Sequence, residues 1–245
     1  MPSRYFSQIN IAADQVCLSG PEAHHLIHVM RAETGTEVVL FDGTGSEFLA
    51  EVVRVGRGEV QLAIRGQQSV DRELRSELTV GVALPKGDRQ KWLVEKLVEL
   101  GVTRLVPLVT ERSVAKPLPT ALERLQRTVV EASKQCGRNR LMEIAAPQLW
   151  PAMVEAACGV EHRWLAHPAR DSATSNPCQS ATRQVELGRQ PGPTLLAIGP
   201  EGGFTDEEVG RATAAGWQCV DLGPRILRIE TAALLLVAWA ITSTS

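Results

Sequence analysis

No stretch of the 245 residues is apolar for long enough to cross a bilayer: the longest such run, Ala232 to Ile241, is about half of what a span requires. It reads instead as a buried helix near the carboxyl terminus. Met1-Pro2-Ser3-Arg4 leads into a mixed polar segment without the apolar core of a secretory signal, so a cytoplasmic protein is expected. Five cysteines (Cys17, Cys136, Cys158, Cys178, Cys219) lie far apart, are odd in number and form no C-x-x-C pair. Neither a zinc ribbon nor a disulfide framework is suggested. His24 and His28 sit one helical turn apart, but no further ligands stand at suitable spacing, so no metal is expected. Missing too are G-K-[ST] and a G-x-G-x-x-G following a strand, which disfavours a phosphate loop and an NAD-dependent oxidoreductase.

Charge is scarce in total but not in distribution. The net value is only -2, yet Lys86 to Arg140 holds twelve Lys or Arg against six Asp or Glu, and all five lysines fall inside that window. The remainder carries 14 basic against 22 acidic residues. Such clustering suits a surface that meets phosphates, although paired solvated helix faces give the same composition. Arg89 and Lys96 are seven apart, and Arg127, Lys134 and Arg138 follow i, i+7, i+11, so each set is expected on one helix face. With Lys86, Arg112 and Lys116 in loops, they outline one surface able to track a nucleic-acid backbone.

The first seventy residues alternate as a small antiparallel sheet or barrel does. Glu37–Phe41, Glu47–Val53 and Glu59–Ile64 are strand-like, joined at Asp42-Gly-Thr-Gly45 and Gly56-Arg-Gly58, with one short helix near Pro21–Met30. The polar segment Gly66–Ser76 is read as a linker. Beyond it the rhythm becomes strand, helix, strand. Strands are expected at Leu78–Leu84, Arg104–Val109, Arg163–Ala166, Thr194–Ile198 and Trp217–Leu222. Helices are expected from Asp88 to Gly101 and from Pro119 to Cys136. Thr205-Asp-Glu-Glu208 has the form of a capping box, and Ser172–Pro193 that of an exposed loop. This alternation predicts an α/β domain built on a mostly parallel sheet.

Two segments carry chemistry. Ala197-Ile-Gly-Pro-Glu-Gly-Gly-Phe204 runs from a strand into the capped helix, which is how α/β proteins bring backbone close to a ligand. Glu201 within it, and Asp206, Glu207 and Glu208 after it, would repel a polyphosphate, so an adenosine bearing a cationic sulfonium fits better. Leu222-Gly-Pro-Arg-Ile-Leu-Arg-Ile-Glu-Thr-Ala232 again leads from strand to helix. Its Arg225, Arg228 and Glu230 amid apolar residues suit either a structural ion pair or a catalytic one.

Six strings in order resemble one family: Pro85-Lys-Gly-Asp-Arg89, Glu95-Lys-Leu-Val-Glu-Leu-Gly-Val102, Glu111-Arg-Ser113, Glu131-Ala-Ser-Lys-Gln-Cys-Gly-Arg-Asn-Arg140, Ile198-Gly-Pro-Glu-Gly-Gly203 and Leu222-Gly-Pro-Arg-Ile-Leu-Arg228 with Glu230-Thr231. They resemble the RsmE family, bacterial enzymes that methylate N3 of a uridine in 16S ribosomal RNA, and the likeness spans nearly the whole chain. The resemblance implies a PUA-like β-barrel that holds RNA over residues 1–70. It implies a SPOUT methyltransferase domain over 76–245, α/β in class, with a carboxyl-terminal trefoil knot and a homodimer interface at the last helix. S-adenosylmethionine would lie against Ile198, Gly199, Pro200, Glu201, Gly202 and Gly203. It would also meet Leu222, Gly223 and Leu227 through Ala232 (Arg228, Ile229, Glu230 and Thr231 between), with Leu165, Ala166 and His167 closing a third side.

Arg4, Arg31, Lys86, Arg89, Lys96, Arg112, Lys134 and Arg138 would meet 16S ribosomal RNA within the 30S subunit. Arg228 would stabilise charge on the uracil carbonyls, with Glu201 or Glu230 orienting it or accepting the proton. Ile229 stands where the family usually has Thr, and Leu141-Met142 replaces a pattern ending in proline. A ribose 2′-O-methyltransferase of the same fold, or a non-catalytic RNA-binding assembly factor, are the competing readings.

Overall fold

A computed structural model describes residues 3–114, 118–168 and 192–243. Lys116 and nearly all of the Ser172–Pro193 segment lie outside the described residues. The chain forms two compact units, Met1–Glu73 with Val130–Leu141, and Leu74–Val129 with Met142–Ser245.

In the first unit, alternating side chains build a five-stranded sheet. Its strands are β1 (Arg4–Phe6), β2 (Gln15–Ser19), β3 (Glu37–Phe41), β4 (Ser46–Val55) and β5 (Glu59–Ser69), in the order β1-β3-β4-β5-β2. All pairs are antiparallel except β1 with β3. Every second residue of β4 (Phe48, Ala50, Val52) and Val60 and Leu62 of β5 point into one core with Tyr5, Val38 and Leu40. Helix α1 (Gly20–His24) and a π-helical turn at His25–Val29 bury Ala23 and Leu26 in it. The expected linker is thus shorter at its start, because Gly66–Ser69 stay paired with Ser46–Leu49.

Residues 130–141 are tied to this unit by charge. Arg4 donates to Glu47 at 2.7 Å and to Asn139 Oδ1 at 2.6 Å, and Arg72 donates to Glu47 and to the Gly137 carbonyl. Lys134 pairs with Glu22 at 3.0 Å, and buried Arg138 grips Glu73. Burial pushes the Glu47 carboxyl up, but the hydrogen bonds and charges of Arg4 and Arg72 outweigh it and leave it below its ordinary value. A carboxyl depressed in the folded state contributes stability above its unfolded value, near pH 4.3, that is lost as pH falls through the folded one. Urea titrations between pH 6 and pH 3 should therefore show Glu47→Gln to be the less stable protein at pH 6, with a flatter loss on acidification. Parallel curves would refute this.

The second unit is built on parallel strands: β6 (Leu78–Val82), β7 (Arg104–Val109), β8 (Glu143–Ile144), β10 (His162–Ala166), β11 (Thr194–Ile198) and β12 (Gln218–Val220). Their order is β12-β10-β11-β6-β7-β8, and short β9 (Gln148–Leu149) also pairs with β7. The helices are α2 (Arg89–Glu99), α3 (Pro119–Cys136, of which Val130 onward belongs to the first unit), α4 (Trp150–Ala156), α5 (Asp206–Ala214) and α6 (Ile229–Ser243). The α/β class is as expected. Asp88 stands at the N-cap of α2 but makes no side-chain cap bond, while Thr205 and Glu208 form the full reciprocal box on α5.

α3 ends at Cys136 because Gly137 turns to φ +84°, a conformation that favours glycine. Arg138 is consequently off the helix, and its expected place in a stripe with Arg127 and Lys134 is lost. The cysteine spacing offers no disulfide framework, yet Cys219 in β12 is disulfide-bonded, whereas Cys17, Cys136 and Cys158 are free. No described helix is long and apolar enough to cross a membrane.

Candidate active site

Because β6, β10, β11 and β12 run parallel in register, their carboxyl ends deliver four loops to one edge of the sheet: 83–88, 167–168, 199–205 and 221–228. That edge is where open parallel sheets bind ligands. All three segments expected to surround the cofactor are therefore brought together. Ala166 pairs with both Ile198 and Val220, and His167 is buried and donates its backbone N–H to the Val220 carbonyl at 3.0 Å.

The 199–204 loop is held from several directions. Gly199 lies against the buried ring of Phe204: a Cβ added there would stand 2.9 Å from two ring carbons. Phe204 in turn stacks on Trp150 at 4.7 Å, and Trp150, fully buried, contacts Trp217 at 5.2 Å and donates its Nε1 proton to the Glu208 carbonyl at 3.1 Å. On the far side, Arg112 donates to the Gly202 carbonyl at 2.8 Å, and the Glu111 N–H donates to Glu208 Oε1 at 2.9 Å. Thus Arg112, expected on RNA, braces this loop. Gly199→Ala should cost about 1–3 kcal/mol through overpacking on Phe204, read as a lower urea midpoint at an unchanged slope. An unaltered midpoint would show that the ring yields freely.

The second loop begins with Asp221, whose Oδ1 accepts from the Gly223 N–H at 2.9 Å, and Gly223 takes φ +103°. It then exposes Arg225, Ile226 and Arg228 before Ile229 and Glu230 turn inward at the start of α6. Arg89, Glu201, Ile226, Leu227 and Arg228 line an open hollow of about 430 Å³. The sequence leaves Glu201 or Glu230 to orient Arg228 or to accept the proton; the ion pairs they make are with Arg89, at 2.9 Å and 3.7 Å. The hydrogen bond to Glu201, with the charges of both carboxylates, holds the Arg89 guanidinium above its ordinary pKa, against a smaller desolvation effect. Glu230 is only 6 % exposed, and its Oε2 has no hydrogen-bond partner.

Of the other basic residues expected on RNA, Arg4, Lys134 and Arg138 are engaged by carboxylates within the first unit, and Lys96 pairs with Glu95 and Glu99. Arg31 and Lys86 are exposed, Arg31 at φ 52°. Among the described residues no group of three or more potential metal ligands assembles.

Comparison with known proteins gives this arrangement its class. Residues 72–241 match the RNA methyltransferase domain family and residues 18–65 the RNA methyltransferase PUA domain, so fold and loops together define an α/β RNA methyltransferase with a PUA-like unit ahead of it. Ribosomal RNA small subunit methyltransferase E of Synechocystis sp. is 36% identical over 223 residues, covering 91% of this chain and 71% of the relative. The Bacillus subtilis protein of the same name is 31% identical over 94% of this chain and 93% of its own. A Neisseria gonorrhoeae ribosomal RNA small subunit methyltransferase E, solved with S-adenosyl methionine bound, superposes with a TM-score of 0.87 at 27% identity, covering 99% of this chain and 98% of that one. A putative methyltransferase of Legionella pneumophila, solved with the same cofactor, gives a TM-score of 0.89 at 29% identity, with coverage of 99% and 98%. The chain belongs to the ribosomal RNA small subunit methyltransferase E family.

Proposed function

We propose that this protein methylates N3 of a uridine in 16S ribosomal RNA of the 30S subunit, using S-adenosylmethionine. The observation that carries the reading is the convergence of the 199–204 and 221–228 loops at the carboxyl edge of a parallel sheet, beside a hollow lined by Arg228 and Glu201. The residues present fit the cofactor. Gly199 is seated directly on the Phe204 ring, which fixes the course of the 199–204 backbone, and the nearby carboxylates suit a sulfonium better than a phosphate. Ile198–Gly203, Leu222–Gly223, Leu227–Ala232 and Leu165–His167 would hold it, and when bound it supplies an electrophilic methyl group.

This chain's own side chains would do the rest. Uridine N3 carries a proton at neutral pH, and losing it puts charge on the two flanking carbonyls. Arg228, exposed on the hollow, is placed to stabilise that charge. Glu201, also on the hollow and 62 % exposed, takes up the proton directly or through a water. Ile226 and Leu227 cover the apolar faces of the base. Glu230, buried behind Arg89, serves as counter-charge rather than proton acceptor.

Residues 1–70 we assign to a PUA-like RNA-holding domain and 76–245 to a SPOUT-type domain with a carboxyl-terminal trefoil knot. The half-buried apolar residues Leu234, Leu235 and Ala238 of α6 are the face for a second copy in a homodimer. A cytoplasmic location follows from a ribosomal substrate.

The test incubates the protein with labelled S-adenosylmethionine and 30S subunits from a strain lacking the modification, then identifies the labelled nucleoside. Label in 3-methyluridine of 16S RNA is expected. Label in a 2′-O-methylated nucleoside would replace this reading with a ribose methyltransferase, and absence of label with cofactor bound would point to another RNA.

A further inference from the structure

Two guanidiniums, not one, line the hollow. Arg89 enters it from the first turn of α2 and Arg228 from the loop before α6. By sequence Arg89 belongs with the basic residues that meet phosphates, but its surroundings differ from those of a backbone contact. A phosphate-tracking arginine is left free to reach outward. Arg89 is bonded at 2.9 Å to Glu201 and faces the buried Glu230 at 3.7 Å, and it is only about one-third exposed. A carboxylate as buried as Glu230, with an oxygen lacking any hydrogen bond, is costly unless a cation stands permanently beside it. The pair of acids therefore fixes a positive charge at the wall of the hollow before any ligand arrives, as preorganised stabilisation requires.

Uracil gives such a charge a use. Its N3 lies between two carbonyls, and when N3 loses its proton the negative charge divides between O2 and O4. One arginine can serve one of these oxygens. We propose that Arg89 is the second cation of the site: Arg228 and Arg89 each donate to one uracil carbonyl, and N3 is presented between them. This rests on the N3-uridine reading above. The step balances simply. The N3–H bond breaks and its proton passes to Glu201 and then to water. The N3 electron pair forms the new N–CH3 bond, and the pair of the broken carbon–sulfur bond stays on sulfur. A ribose hydroxyl has no flanking carbonyls, so the same two-cation arrangement would be without purpose in a ribose methyltransferase.

The test compares Arg89→Met, Arg89→Lys and the double variant Arg89→Met/Glu230→Gln, the last removing the buried charge that the first leaves unpaired. Melting temperature and cofactor affinity are measured for each, along with 30S binding as a function of salt. Single-turnover methyl transfer is then measured at saturating cofactor and subunit. The expected result is a loss of about 10²–10³ in the single-turnover rate for both methionine variants, with part of it recovered by lysine. The dependence of 30S binding on salt should not change. The proposal falls if the saturated rate survives while the salt slope drops by about one, the mark of a lost phosphate contact. It falls equally if weaker cofactor binding accounts for the whole effect, since Arg89 would then only brace the 199–204 loop. Failure of the underlying reading looks different: the unaltered protein would put its label elsewhere than in 3-methyluridine.

Discussion

Replacing Arg228 by alanine is expected to slow methyl transfer to 30S subunits by about 10²–10³ at saturating substrates, the range found when one preorganised donor to a developing anion is removed. Arg228 lies exposed on the wall of the hollow, between Leu227 and the buried Ile229. Truncating it leaves the core intact, so stability should change by no more than ~0.5 kcal/mol. Cofactor affinity should hold within a few-fold, because the backbone of the 222–227 segment does not depend on this side chain. Equilibrium binding and single-turnover kinetics on the same preparation separate these quantities. If Arg228→Ala turned over at full speed with both substrates bound, the assignment of charge stabilisation to this residue would be wrong.

The largest effect on stability should come from Trp150→Ala, a loss of about 3–5 kcal/mol. Trp150 is 0 % exposed and stands at the meeting point of α4, α5 and the 199–204 loop. It touches Phe204 and Trp217 and also bonds the carbonyl of Glu208, so its removal opens a cavity and takes one hydrogen bond from that carbonyl together. Trp150→Phe should recover most of the packing and forfeit mainly the hydrogen bond, worth about 1 kcal/mol. Urea unfolding of both variants provides the comparison. Equal losses would mean that the indole N–H, not the ring volume, carries the contribution. Since Phe204 also walls in Gly199, the alanine variant should bind cofactor poorly even at temperatures where it remains folded.

Local signals were legible in the sequence where local physics decides the outcome. β7, β11 and α3 lie where their patterns place them, and the Thr205–Glu208 box is present with both reciprocal bonds. The strands β1 and β2 were not found: three residues are too few to show alternation, and Gln15–Ser19 buries only Leu18 fully. β5 outran its expected end because a ladder is made by backbone, and Gln67, Gln68 and Ser69 pair as well as apolar residues would.

The candidate site divides along the same line. Its loops were readable because glycines between strand and helix are a local pattern. The partners of its charges were not, since Arg89 and Glu201 are 112 positions apart and no spacing rule connects them. Arg138 is placed on RNA by its spacing along a helix face and Arg112 as a basic loop residue beside it, and folding uses them on Glu73 and Gly202. A clue was available for Arg138, because the glycine before it ends the helix on which the stripe argument relied.

The first unit is completed by residues 130–141, which reach it only after β6 and β7 of the second unit have been made. On a translating ribosome, Arg4, Arg72 and Glu73 must therefore wait for Gly137, Arg138 and Asn139 through the synthesis of more than sixty intervening residues. At ordinary elongation rates that is a delay of several seconds. During it the sheet can form and Glu47 can pair with Arg4 and Arg72, but Glu22 and Glu73 lack Lys134 and Arg138. A nascent chain stalled before residue 137 should thus hold this unit in a state more open to proteases than one stalled beyond residue 141 and clear of the exit tunnel, and the order of synthesis becomes part of how the protein acquires its stability.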